Sequence, residues 1–118
     1  MIEFFDRAGA ATAFSLDDQS LFLWSGQPAA FIEEGKVYAY SGRFIGWIGN
    51  GWIVDDEGQH LLFEFDAVGG PVKPARIAKA VPGQRGRNPT KSTPQPNPVR
   101  PAPSPASSWS FRAFADLI

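Results

Sequence analysis

Glycine returns at a nearly fixed step through the first half of the chain, at Gly9, Gly26, Gly42 and Gly58, with spacings of 17, 16 and 16 residues. Other columns keep the same step. Five residues after each glycine stands an aromatic: Phe14, Phe31, Trp47 or Phe63. Four before stands Phe5, Phe22, Tyr38 or Val54, and five before stands Phe4, Leu21, Val37 or Ile53. Four after stands Ala13, Ala30, Gly46 or Leu62, small in three of the four. A repeat of this length is one supersecondary unit that cannot bury its apolar face alone.

Each unit reads as a β-hairpin. Its first half is rich in the aromatic and β-branched residues that suit a pleated surface, as in Leu21-Phe22-Leu23-Trp24 and Val37-Tyr38-Ala39-Tyr40. Ser25-Gly26 and Ser41-Gly42 follow at once, and glycine supplies the positive φ that tight hairpin turns demand. Ala8-Gly9 and Glu57-Gly58 take the same place in the first and fourth units. Between units lie Asp17-Asp18-Gln19, Glu33-Glu34-Gly35-Lys36 and Gly49-Asn50-Gly51, all turn-like. Breaks every sixteen residues and the β-branched content argue against short helices in the first halves. A lone hairpin is marginal in water. Four in series can bury one face each around a shared centre, so the expected fold is all-β, with four sequential hairpins in a pseudo-fourfold, flower- or propeller-like arrangement. Trp24 and Tyr40 are expected on the strand face opposite Phe22 and Tyr38, as an aromatic patch open to a ligand or partner.

Composition divides the chain after this repeat. Thirteen of the sixteen aromatics precede residue 66, and none lies between Ala67 and Ser108. Ten of the eleven prolines fall between Pro71 and Pro105. Such a stretch buries too little apolar surface to offset its ordering entropy. The expected division is a four-hairpin domain over 1–66, a mostly disordered Pro-rich basic linker over 67–106, and a hydrophobic terminal motif over 107–118. Within the motif, Ser110 can cap a short helix that gathers Phe111, Phe114, Leu117 and Ile118 on one face. A helix that short needs a surface to dock on.

Charge divides at the same place. Residues 1–70 carry three basic groups against eleven acids; residues 71–118 carry eight basic groups against Asp116 alone. The near-neutral total of −1 conceals this split. A basic tail seeks an acidic surface, whether a nucleic acid, an anionic lipid, another protein or its own head.

The four-unit pattern, with Ser41-Gly42-Arg43, Gly46-Trp47 and Gly51-Trp52, resembles the bacterial 4-fold beta flower domain. The likeness continues through Gly69-Gly70-Pro71-Val72-Lys73-Pro74, the Pro-rich basic run and the terminal Ser108-Trp109-Ser110. It implies hairpins around a fourfold axis in small proteins without assigned activity, and it carries no catalytic residues to transfer.

No catalytic, cofactor or metal constellation emerges from the residues. Asp55-Asp56-Glu57 is the densest acid cluster, but neighbouring strand residues point to opposite faces, so Asp55 and Asp56 are not expected to converge. His60 is the single histidine, and without cysteine it lacks the companions a zinc site needs. No glycine opens a phosphate-binding loop. The absence of cysteine suits a reducing, cytoplasmic setting, and no window has the apolar length of a membrane span. The reading is a non-enzymatic protein-binding or scaffolding module, without cofactor, whose tail motif docks on a protein partner or on the head. The residues expected to make contact are Trp109, Phe111, Phe114, Leu117 and Ile118, with Trp24 and Tyr40 on the head. A head this small also leaves homo-oligomerisation open. The alternative is a nucleic-acid-associated protein that binds through the basic tail, although no aromatics interleave its cations to stack on bases.

Overall fold

A computed structural model describes residues 1–91 and 108–118. Eight antiparallel strands, β1 (Ile2–Phe5), β2 (Ala11–Ser15), β3 (Ser20–Leu23), β4 (Pro28–Glu33), β5 (Lys36–Ala39), β6 (Phe44–Gly49), β7 (Trp52–Asp55) and β8 (His60–Phe63), follow one another in a closed barrel.

Two kinds of turn build it. Within each repeat, the amides of Asp6, Leu23, Ala39 and Asp55 donate to the carbonyls of Ala10, Gln27, Arg43 and Gln59 at 2.8–3.0 Å. The amides of Gly9, Gly26, Gly42 and Gly58 donate back to the same four residues, and each of these glycines has a φ between 82° and 96°. Between repeats, Glu34-Gly35 and Asn50-Gly51 both have positive φ at two successive residues, the type I′ geometry that matches strand twist. At the first junction the Asp17 carboxylate instead accepts the amides of Gln19 and Ser20 at 2.9 and 2.7 Å. The expected petals around a centre are therefore joined more fully than anticipated. The connections between hairpins are themselves hairpin turns, so every strand pairs on both sides and the sheet closes on itself.

A bulge recurs in each repeat. The register steps between Phe4 and Phe5, Leu21 and Phe22, Val37 and Tyr38, and Ile53 and Val54, leaving Thr12, Ala29, Ile45 and Leu61 as the extra residues opposite. A bulge bends its strand and tightens the local twist, which a barrel this small requires. It also directs two successive residues inward: Ala29 with Ala30, and Leu61 with Leu62, belong to the same buried cluster. That cluster holds Phe4, Leu21, Val37 and Ile53 from the column five before the glycine, packed with Ala13 and Ala30 from the small column. Eight strands leave an interior just wide enough for such side chains.

The next column faces outward and forms aromatic pairs across neighbouring strands. Phe14 stacks on Phe22 and Phe31 on Tyr38, each with centroids 5.5 Å apart, and Phe5 meets Phe63 at 5.6 Å. Trp24 and Tyr40 lie on this same outer face, not the opposite one: Trp24 meets Phe14 edge-on and Tyr40 leans on Phe31. Both are the first turn residues past β3 and β5, so it is these ring contacts, not strand alternation, that set their side.

The chain beyond residue 66 is largely laid against the barrel. Residues 67–91 form neither helix nor strand, yet the Ile77 amide donates to Gly9, the Gly83 amide to Trp24 and the Gly86 amide to Gly26. The remainder of the expected linker lies outside the described residues. The terminal helix is reduced to a single 3-10 turn, Phe114–Asp116, preceded by Ala113 with no side-chain cap. The Ser110 hydroxyl accepts the Arg112 amide at 3.1 Å, but Ser110 itself is held by the barrel, so no helix starts there. Phe111 consequently points to solvent, 78% exposed, while Phe114 and Leu117 enter the interior cluster and Ile118 packs at its edge.

Gly46 marks where the barrel is tightest. Its backbone is ordinary, but a Cβ there would collide with the Val54 carbonyl on β7. Gly46→Ala is expected to destabilise the protein by about 1–3 kcal/mol, as overpacking does, read as a lower urea midpoint with an unchanged slope.

Candidate interaction site

The site is the outer aromatic ring of the barrel together with the tail that lies on it. Cations from the tail stand over three of the outer phenylalanines. Arg76 and Lys79 stand over Phe5 at 5.6 and 5.7 Å, Arg85 over Phe22 at 5.9 Å, and Lys91 over Phe31 at 4.8 Å. A guanidinium or ammonium over a ring face is attracted by the ring quadrupole, by about 0.5–1 kcal/mol at an exposed site.

The backbone places these cations by repeating one contact. Ala75-Arg76-Ile77 lies across the Gly9 turn and Gln84-Arg85-Gly86 across the Gly26 turn. In both, the residue after the arginine donates its amide to the turn glycine's carbonyl, at 2.9 Å. In both, the carbonyl of the residue before it occupies the space a side chain on that glycine would need. The turn glycines thus do two things: they adopt positive φ, and they let the tail approach the turn closely. Trp24 Nε1 donates to the Ala80 carbonyl at 3.0 Å, Tyr40 donates to Asn88 at 3.3 Å, and Lys79 pairs with Glu3 at 2.9 Å. Trp24 and Tyr40, read from sequence as a patch open to a partner, are each half-buried and bonded to the tail.

The terminal segment holds the barrel's seam. β1 and β8 are paired only at Phe5 and Phe63, whereas β4 and β5 are paired over four residues. Beside that seam, the His60 amide donates to the Ser108 carbonyl at 3.1 Å and the Ser110 amide to the His60 carbonyl at 2.8 Å, a parallel bridge centred on Trp109. The half-buried Trp109 ring packs edge-on against Trp52 and Phe63. Arg7 on the β1 side reaches the Ser110 carbonyl at 3.4 Å.

Asp55 and Asp56 do converge, contrary to expectation. Asp55 ends β7 and Asp56 is already in the turn, so strand alternation no longer separates them. Arg112 Nη2 donates to Asp55 Oδ2 at 3.1 Å and to Asp56 Oδ1 at 2.8 Å. Asp55 is fully buried, and its other oxygen accepts the amides of Glu57 and Gln59, both at 2.9 Å. The cluster anchors the tail's cation and raises its affinity for its proton, chiefly through the bond to Asp56. A cleft of about 250 Å³ remains beside it, lined by Asp6, Arg7, His60 and Phe111–Ala115 among others.

His60 is fully buried at the foot of this arrangement. Its Nδ1 donates to the Ser108 carbonyl at 3.2 Å, and Nε2 has no hydrogen-bond partner among the described residues. Nε2 faces Gly70, where a Cβ would lie only 2.6 Å away.

Sequence reasoning singled out the terminal apolar residues but missed Arg112 and His60 as their anchors. The charge split was the available signal for the first. For the second there was none, because a lone histidine in a strand carries no mark of what will pair beside it.

Comparison with known families agrees with this geometry. The model of the family described as "4-fold beta flower protein" matches residues 2–118. The chain belongs to that family. The match runs through the tail to the last residue, so the beta flower pattern includes the segments that wrap and seal the barrel. No curated protein and no solved structure matches the chain.

Burial lowers the His60 pKa from its ordinary 6.5, against the opposing pull of the Ser108 carbonyl and Asp55. The folded protein therefore keeps His60 neutral where the unfolded chain would take up a proton. The stability this provides is complete above about pH 6.5 and is lost progressively as pH falls below it, toward the folded-state value. Urea unfolding at about pH 7 and pH 5 is expected to show a loss of stability that His60→Gln reduces. Equal losses in both proteins would assign the effect to other groups.

Proposed function

We propose that this beta flower protein is a non-enzymatic binding module whose head is a receptor for a basic, glycine- and proline-punctuated strand. Its own tail is the ligand built into the chain. The division into a head over 1–66, a basic linker over 67–106 and a terminal motif over 107–118 is then a division into receptor, ligand and anchor. The observation that carries the reading is the repeated contact at Gly9 and Gly26, where the same three-residue pattern sets an arginine over an outer phenylalanine. The fourfold repeat supplies equivalent docking positions, and linked positions reinforce one another through effective concentration. The acidic head and basic tail favour the same encounter by charge and steer it at low salt.

The alternative, nucleic-acid binding through the tail, draws less support. Lys73, Arg76, Lys79, Arg85, Lys91 and Arg112 all engage carbonyls, rings or carboxylates of the chain itself. A module of this kind carries no catalytic step. Among the described residues no helix is long and apolar enough to cross a membrane, and the lack of cysteine supports a cytoplasmic setting.

A labelled peptide with the sequence of residues 71–91 tests the receptor reading on the full chain. Arg76→Ala/Arg85→Ala/Lys91→Ala should loosen the resident tail, so this variant is expected to bind the peptide at least about tenfold more tightly than the parent. Equal affinities would overturn the reading. Tight binding of a DNA oligonucleotide by the parent, falling steeply with salt, would favour the alternative.

A further inference from the structure

We infer that the terminal segment is exchanged between copies, so that the seam and mouth of one barrel accept residues 108–118 of a second chain. The inference rests on the reading that the tail docks on the head, and it names the partner: another copy of this chain. The segment's described contacts form a self-contained set. Ser108 and Ser110 pair with His60, Arg112 with Asp55 and Asp56, Trp109 with Trp52 and Phe63, and Phe114 and Leu117 with the barrel interior. Every such hydrogen bond and ion pair to the barrel reaches a residue 48 or more positions away in sequence. The segment is a detachable peptide in all but its connection.

That connection is long. Residues 92–107 join Lys91 to Ser108, and a chain of this length can span roughly 55 Å when extended. The described residues extend 37 Å along their longest axis, so sixteen residues are long enough for the segment to reach a second barrel. No cysteine locks it in place. An empty socket is unfavourable, because it takes the Arg112 cation from Asp55 and Asp56 and leaves the seam held by a single residue pair. Exchange avoids the empty socket. Each chain of a swapped pair makes the contacts it makes alone, so concentration and the connection decide between the two forms. Docking within one chain competes at an effective concentration on the order of millimolar, so exchange becomes visible as the protein approaches that range.

Arg112→Lys places an amine beside the two carboxylates, where a carbodiimide can couple them without a spacer. Equal amounts of unlabelled and ¹⁵N-labelled chain are mixed, incubated at about 1 mM, coupled and digested. Peptides joining position 112 to Asp55 or Asp56 are then weighed. Exchange predicts that mixed-isotope links rise with protein concentration, toward half of all such links. Links of one isotope only, at every concentration, would overturn exchange while leaving the docking on the head intact. Absence of any such link in the folded variant would overturn both. The unmodified chain offers a second measurement. In a mixture of ¹³C-labelled and unlabelled protein at the same concentration, exchange predicts intermolecular NOEs between Leu117 methyls and side chains of the barrel's interior cluster. Their absence would contradict it.

Discussion

Every repeat of this chain puts a large apolar side chain on the outside of the barrel, where an antiparallel sheet ordinarily meets water. That constraint governs the rest of the structure. Phe5, Phe14, Phe22, Phe31 and Phe63 face outward and yet are almost fully buried. A barrel of about sixty residues has no second layer of its own to cover them. The cover comes from residues 67–91, which form neither helix nor strand and offer cations to the ring faces and backbone amides to the turn carbonyls. Proline and glycine suit a covering strand. Proline keeps the chain extended, and glycine lets it lie flat across a turn that itself carries no side chain.

The interior has the matching difficulty at one end. Small residues at positions 13, 30 and 46 allow the strands to close tightly, and the bulges give the curvature. The seam between β1 and β8 is nonetheless held by a single residue pair. The terminal segment pairs beside it through His60, and Phe114 and Leu117 join the interior cluster. Arg112 pairs with Asp56 and with Asp55, which holds the adjoining turn through the amides of Glu57 and Gln59. One chain therefore supplies the barrel, its outer layer and its plug. The family match, over residues 2–118, takes in all three.

Much of the barrel was legible because it is local. The glycine step, the turn dipeptides and the columns of apolar residues each report on contacts a few residues apart, and they locate the strands well. Closure was less legible, because Phe5 and Phe63 must meet across the whole repeat and nothing near either residue announces it. Trp24 and Tyr40 were placed on the wrong face; both fall in the turn just past their strands, and their rings meet Phe14 and Phe31 of the outer face. The tail misled for a different reason. Its composition lacks the apolar content to fold alone, and that argument is sound for an isolated segment. Residues 67–91 have a partner surface already formed, and the acid–base split between head and tail was the one sequence signal of it. The pairing of Arg112 with both Asp55 and Asp56 depends on where β7 ends, which residue types alone do not fix.

If the tail is a layer of the fold, amide hydrogen exchange on the full chain shows it most directly. The amides of Ile77, Gly83, Gly86 and Ser110 donate to barrel carbonyls. They should exchange far more slowly than in a free peptide of the same sequence, with Ser110 approaching the protection of the β8 amides. Exchange of all four at free-peptide rates, beside a protected barrel, would contradict this and make the barrel self-sufficient.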